Sequence, residues 1–317
     1  MSCSLNTLYQ VVGISKQAVH KYKKQKALFD EKLEQLLIQT DLLREEHPGC
    51  GVRKMYDVLK PDFIGRDRFE RLMMDYGYRI KRHKNYIRTT IPAHYRYPNL
   101  IEGSIVNQIN QVWQSDISYI LVNGSYYYLV FIIDVYSRRI VGYQASDHMR
   151  TEANVNALRQ AFKLRSNDNL SDLIHHSDRG SQYASKPYTN MLAQKGISIS
   201  MGLKATDNAF AERINGIIKN EYLKYRDMKS LVDLKRELRK AVKHYNDKRT
   251  HLNIQKMNPI AYEKKLLDLN DQKKPTVTIY AEGYDKIKEA SSLFNLRPEK
   301  NLGVHICPIY YDQILLT

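Results

Sequence analysis

The sequence predicts an α/β protein: a mixed sheet covered by helices on both faces, preceded by an all-helical, basic region. Three observations predict it. Between residues 108 and 146 three strand-like segments follow one another, and two of them flank Asn123-Gly124, a strong hairpin signal. From residue 151 onward helical and strand patterns alternate, as in sheets packed on both sides. Upstream of residue 80 apolar residues recur at helical spacing.

In the N-terminal region, LNTLYQVVGISKQAVHKYKKQKA (residues 5–27) reads as a helix, a turn at Gly13, and a second basic helix capped by Ser15 and running to about Lys24, the outline of a helix-turn-helix. An ordinary helix pair gives the same pattern. Residues 29–46 form an amphipathic helix with Leu33, Leu36, Leu37 and Leu43 on its apolar side. HPGCGVRKMYDVL supplies a turn and a helix. A further helix carries Phe69, Leu72, Met73 and Tyr76 and ends at Gly77. Nine Lys/Arg stand against three acids from Arg66 to Arg96, with tyrosines interleaved. Arg79, Lys81, Arg82 and Lys84 are its candidate phosphate contacts; a solvated basic face is the ordinary reading. Residues 1–98 are therefore expected to form a DNA-binding region, with residues 99–107 as a linker.

In the core, VWQSDISYI is a strand, SYYYLVFIID an apolar strand for the inside of the sheet, and RRIVGYQAS a third strand. TEANVNALRQAFKL is a helix, DLIHHSD a short buried strand, Tyr188 to Gln194 helical, and GISISMG another strand. Residues 208–224 and 229–246 read as helices. The catalytic core is placed at residues 108–265. Residues 266–317 are an extension of unassigned role, with a strand at TVTIY, then a helix and an apolar end.

The chain has 317 residues, 43% of them apolar, and a net charge of +16. That balance suits a polyanion. No apolar run is long enough to span a membrane, and residues 1–10 lack the pattern of a signal peptide. The three scattered cysteines suggest neither a disulfide framework nor a metal-ligand pair, so a reducing cytoplasm is the expected compartment.

The chemistry lies in acids. Two-metal phosphoryl transfer needs carboxylates that converge on ions about 3.5–4 Å apart, and hard oxygen ligands suit Mg²⁺ or Mn²⁺. Asp116 sits mid-strand among Trp113, Ile117 and Ile120, a costly place for an acid without a partner or ion. Asp178 ends a buried strand, where α/β sheets carry their sites. Glu212 lies in NAFAERINGIIKNEYL. At 100° per residue, Phe210, Ile214, Ile217 and Glu221 centre on one side, with Glu212, Asn215, Gly216 and Lys219 opposite. Gly216 would admit a close backbone, and Asn215, Lys219 and Arg179 are candidate DNA contacts. Each acid alone has an ordinary reading as cap, ion-pair partner or solvated residue. Their order on strand, strand end and helix is far more specific. Asp134 reads as a structural acceptor for backbone or Arg139. Asp207 reads as a cap or turn residue, and His175 and His176 as either core or site-facing.

These residues resemble the retroviral-integrase superfamily, and within it the insertion sequence three family of transposases. VWQSDISYI, FIIDVYSRRIVGY, HHSDRGSQYAS, GISISM, DNAFAERINGIIKNEYL and YNDKRTHLNIQKMNPIAY carry the resemblance over roughly residues 108–263. It implies a ribonuclease-H-like core and metal-dependent strand cleavage and transfer at element ends. Asp116, Asp178 and Glu212 would be catalytic and would hold two Mg²⁺ or Mn²⁺ ions. The implied partners are DNA (terminal inverted repeats and target), further copies of the chain on DNA, and a DNA-binding protein from an upstream frame. The implied location is the bacterial nucleoid. Asp178 and Glu212 are separated by 33 residues, 179–211, about two fewer than is common in the family. Two other readings share the acids or the basic region: a nuclease of the same fold, and a DNA-binding regulator.

Overall fold

The computed structural model describes residues 13–80, 97–202 and 205–279, together with Tyr9 and Val11. Lys81, Arg82, Lys84, nearly all of the first expected helix, and the expected helix and apolar end beyond 279 lie outside the described residues. The chain divides into two compact units, Met1–His83 and Lys84–Thr317.

The first unit is helical. Its longest element, α1, spans Lys16–Glu46, and Ser15 caps it, its hydroxyl accepting from the Ala18 amide at 3.1 Å. The sequence reading divides this stretch into two helices. The structure joins them, because Gln25, Lys26, Ala27 and Leu28 favour helix and no Gly or Pro interrupts. Helices α2 (Val52–Leu59) and α3 (Arg66–Asp75) follow. Leu33, Leu36, Cys50, Val52, Met55, Ile64, Phe69 and Met73 form a common core. Gly77, at φ +86°, turns the chain after α3. Arg44 then donates to the carbonyls of Pro48 and Tyr78, and the Tyr78 hydroxyl donates to Asp41, tying the end of α3 back to α1.

The second unit is built on a five-stranded mixed sheet. Its strands are β2 (Val112–Val122), β3 (Ser125–Asp134), β4 (Ile140–Ser146), β5 (Ile174–Ser177) and β6 (Ser198–Met201), in the order β4-β3-β2-β5-β6. β2, β3 and β4 form the antiparallel meander, while β5 and β6 run parallel to β2. Asn123 and Gly124 both take positive φ between paired Val122 and Ser125, the tight hairpin turn their sequence demands. This is the ribonuclease-H-like arrangement.

Helices α4 (Thr151–Leu164) and α5 (Lys186–Ala193) lie against one face, with Trp113, Val130, Ile132, Leu158 and Leu192 in that core. The other face packs α6 (Ala209–Ile217), α7 (Leu231–Asp247) and α8 (Pro259–Leu267) around Leu129, Phe131, Ile214, Ile218, Leu238 and Tyr245. The segment expected to be linker carries buried Ile101 and the short strand β1 (Ile105–Val106), which pairs with β7 (Val277–Thr278). Those two strands tie the chain before the sheet to the chain after α8.

A buried charged group braces the α8 side. Glu263 accepts from Ser137, Arg139 and Arg165. Burial pushes its carboxyl up, but the two guanidinium groups more than offset this and hold it below the usual carboxylate range. Asp134 accepts from the amides of Ser137 and Asn110 at 2.8 and 2.7 Å. It is therefore a backbone acceptor, while Arg139 pairs with Glu263.

Candidate active site

Strand register brings two of the acids to one level. β2 pairs with β5 from Val112 opposite Ile174 to Ser115 opposite Ser177. Asp116 and Asp178 are the next residue on each strand, and adjacent strands run about 4.8 Å apart. β5 stops there, so beyond Ser115 that edge of β2 opens. Asp178 enters a tight turn in which its Oδ1 accepts from the Gly180 amide at 3.0 Å. A Cβ on Gly180 would stand 3.0 Å from that oxygen, so glycine gives the turn its room.

The third acid comes from α6, which packs across β2 and β3. Glu212 lies in its first turn and is exposed. One turn on, Asn215 donates to Asp116 Oδ2 at 2.5 Å. The sequence reading places Asn215 on the outward face, yet the structure buries it at 3% exposure. The edge of α6 that looks onto β2 is wider than a helical wheel indicates, because Asp116 is a polar partner inside the sheet. Ile217 is only partly buried and Ile218 takes the core position, as the helix widens into a π turn over Ile218–Tyr222. Glu221 faces inward and pairs with the Arg249 guanidinium at 2.8 Å.

The electrostatics record the convergence. Asp116 is pushed up to about 7, first by burial, then by the charges of Asp178 and Glu212, against the pull of the Asn215 bond. Glu212 is raised by burial and by Asp178. The three carboxylates therefore sense one another across one cleft. Hard oxygen donors of this kind fit a divalent cation, whose charge would relieve the repulsion. Among the described residues no three such side chains stand already closed into an ion-holding group.

Basic groups flank the acids. Lys219 lies against the open edge of β2, its Nζ donating to the Tyr119 carbonyl at 3.5 Å and standing 5.5 Å from the Tyr119 ring centroid. Burial lowers its pKa and Asp116 opposes that. Arg179 is half-buried, and among the described residues its Nε has no hydrogen-bond partner. A Cβ on Gly216 would meet only the Asn220 amide, at 4.0 Å. Arg79 is exposed in the first unit.

Both histidines belong to the interior. His175 bonds the Tyr188 hydroxyl at 2.8 Å, and burial and His176 push it down to about 3. His176 bonds Ser200 at 2.8 Å, and burial lowers it to about 4. Asp207 lies in the 3₁₀ turn Ala205–Asn208 ahead of α6. Sequence reading passes over two buried polar residues, Gln114 on β2, which meets the first amides of α6, and Asn208 at the start of α6. The available signal is an amide in the middle of VWQSDISYI, where a buried strand otherwise favours apolar groups.

Residues 106–206 match the family model of the integrase core domain, and residues 195–259 match a second integrase core model. A protein named as a transposase for insertion sequence element IS986/IS6110 in Mycobacterium tuberculosis is 33% identical over 224 residues, covering 67% of this chain and 81% of that protein. The transposase for insertion sequence element IS629 in Shigella sonnei is 33% identical over 215 residues, 65% of this chain and 70% of that one. Among solved structures, the HTLV-2 integrase catalytic core in complex with magnesium is similar at a TM-score of 0.40 and 21% identity, covering 52% of this chain and 99% of that chain.

Proposed function

This chain belongs to the insertion sequence three family of transposases, with an integrase catalytic core, and we propose that Asp116, Asp178 and Glu212 are its catalytic residues. In this reading the protein is a polynucleotidyl transferase that cuts at the ends of an insertion sequence and joins them to target DNA. The single observation that carries it is the convergence of acids from three elements: β2 and β5 bring Asp116 and Asp178 to one level, α6 is bonded to Asp116 through Asn215, and burial with the charges of Asp178 and Glu212 pushes Asp116 up to about 7. Such charge crowding is costly unless a cation resolves it.

The same three residues would hold two Mg²⁺ or Mn²⁺ ions. Bound there, the ions would supply activation of the attacking hydroxyl and stabilisation of the leaving oxygen. The chain's own residues do the rest. Asn215 donates to one oxygen of Asp116 and would orient that carboxylate toward an ion. Gly180 lets the Asp178 turn close tightly. Arg179, next in the chain to Asp178, and Lys219, close enough to feel the charge of Asp116, would take phosphate oxygens of the bound strand.

Residues 1–98, including Arg79, Lys81, Arg82 and Lys84, would grip the element end, and residues 108–265 would perform the chemistry. The partners are the terminal inverted repeats, target DNA, further copies of the chain on that DNA, and a DNA-binding protein from an upstream frame. A nucleoid location in the cytoplasm follows from that substrate. Among the described residues, no helix is long and apolar enough to cross a membrane.

A labelled duplex carrying one element end, incubated with the protein, a plasmid target and Mg²⁺, tests the class. Joined product supports a transposase. Cut product alone would reassign the chain as a nuclease, and bound but uncut DNA as a regulator.

A further inference from the structure

We propose that Gln114, helped by Asn208, is a positioning residue that fixes the Glu212 helix to the Asp116 strand. The inference rests on the assignment of Asp116 and Glu212 to the site. Gln114 is fully buried on β2, two residues before Asp116 and so on the same face of the sheet. Its Oε1 accepts from the amides of Phe210 and Ala211 at 3.2 and 3.3 Å, and its Nε2 donates to the Asp207 carbonyl at 3.0 Å. Beside it, Asn208 Nδ2 donates to the Ser115 carbonyl at 2.9 Å.

The first amides of a helix have no partner within it and need an external acceptor. A cap residue normally supplies one, but Asn208, at the cap position of α6, makes no capping bond with its side chain. Gln114 supplies the acceptor from the sheet instead. The start of α6, and the turn that enters it, are therefore bonded to the strand that carries Asp116. Glu212 sits one residue beyond Ala211, so the spacing between the Asp116 and Glu212 carboxylates is set by these bonds.

Gln114→Leu removes the acceptor and the donor, and Gln114→Glu keeps the acceptor oxygens. Two readouts besides activity apply to both: amide hydrogen exchange at Phe210 and Ala211 in metal-free protein, and Mn²⁺ affinity measured by electron paramagnetic resonance. Gln114→Leu is expected to speed exchange at both amides. It is also expected to weaken Mn²⁺ binding about 10- to 100-fold, the loss typical when a group that orients a metal ligand is removed. Gln114→Glu is expected to recover at least part of that loss. Gln114→Leu that only lowers the melting temperature, with unchanged Mn²⁺ affinity, would reduce Gln114 to packing and overturn the proposal. Should Gln114→Leu not fold, Asn208→Ala decides: weaker Mn²⁺ binding supports the brace and unchanged binding overturns it. Glu212→Gln run alongside separates the two claims, since unchanged Mn²⁺ affinity in that variant would remove Glu212 from the site whatever Gln114 does.

Discussion

A carboxyl at Asp116 held near 7 links the protein's stability to pH and to divalent ions. The unfolded value is about 3.9 and the folded value about 7. Between them the folded state holds the extra proton, so stability from this group falls as pH rises from about 4 to 7 and levels off above. Melts in chelator at pH 5 and pH 7.5 should show wild type losing more stability with rising pH than Asp116→Asn. Mg²⁺ should restore wild type at pH 7.5 and leave the variant unmoved. Parallel behaviour of the two proteins would mean that Asp116 ionises freely. Lys219 bears on the same cleft. Lys219→Ala should weaken binding of an element end by about 1–3 kcal/mol, as expected for one charge-assisted contact. A gel-shift titration that finds wild-type affinity would turn Lys219 into a residue that only covers the edge of β2.

Elements were legible in the sequence where local pattern and tertiary role agree. The β2–β3 hairpin follows from Asn123-Gly124, and α4 from an unbroken helical pattern with one apolar side. That α1 runs unbroken past Lys24 was legible too, since Gln25, Lys26, Ala27 and Leu28 favour helix, but the sequence reading sets a boundary at the change of apolar pattern there. Where only packing decides, the sequence is silent. The proposed site reads in the sequence as three acids on strand, strand end and helix, and the structure brings Asn215 and Lys219 close to Asp116. What holds the acids was not legible. Whether Asn215 and Gln114 are buried depends on how deep α6 sits on β2, and that depth is set by contacts distant in sequence. The register of α6 gives its own test. Ile218→Ala should destabilise by about 2–5 kcal/mol, as for other fully buried aliphatic residues, and partly buried Ile217→Ala by clearly less. Denaturant melts showing the reverse order would mean that the helix does not widen where the structure has it widen. On α8, Glu263→Ala should cost about 3–5 kcal/mol, because it leaves buried Arg165 without its closest carboxylate. Since the folded pKa of Glu263 is depressed, its contribution is present above about pH 4.5 and is lost as pH falls below.

For the whole molecule, the basic N-terminal region would grip DNA and the sheet would carry the proposed chemistry. Residues 13–80 have a core of their own. A fragment of residues 1–98 should therefore bind DNA, with log affinity falling against log salt by about 0.9 for each phosphate neutralised. Salt-independent binding would contradict a phosphate grip. The claim that three acids from three elements make one catalytic site is tested most directly by strand transfer in Asp116→Asn, Asp178→Asn and Glu212→Gln, with DNA binding measured on the same samples. Each variant is expected to bind an element end as tightly as wild type and to produce no joined DNA at any Mg²⁺ concentration. Joined product from Glu212→Gln at near wild-type yield would contradict that claim.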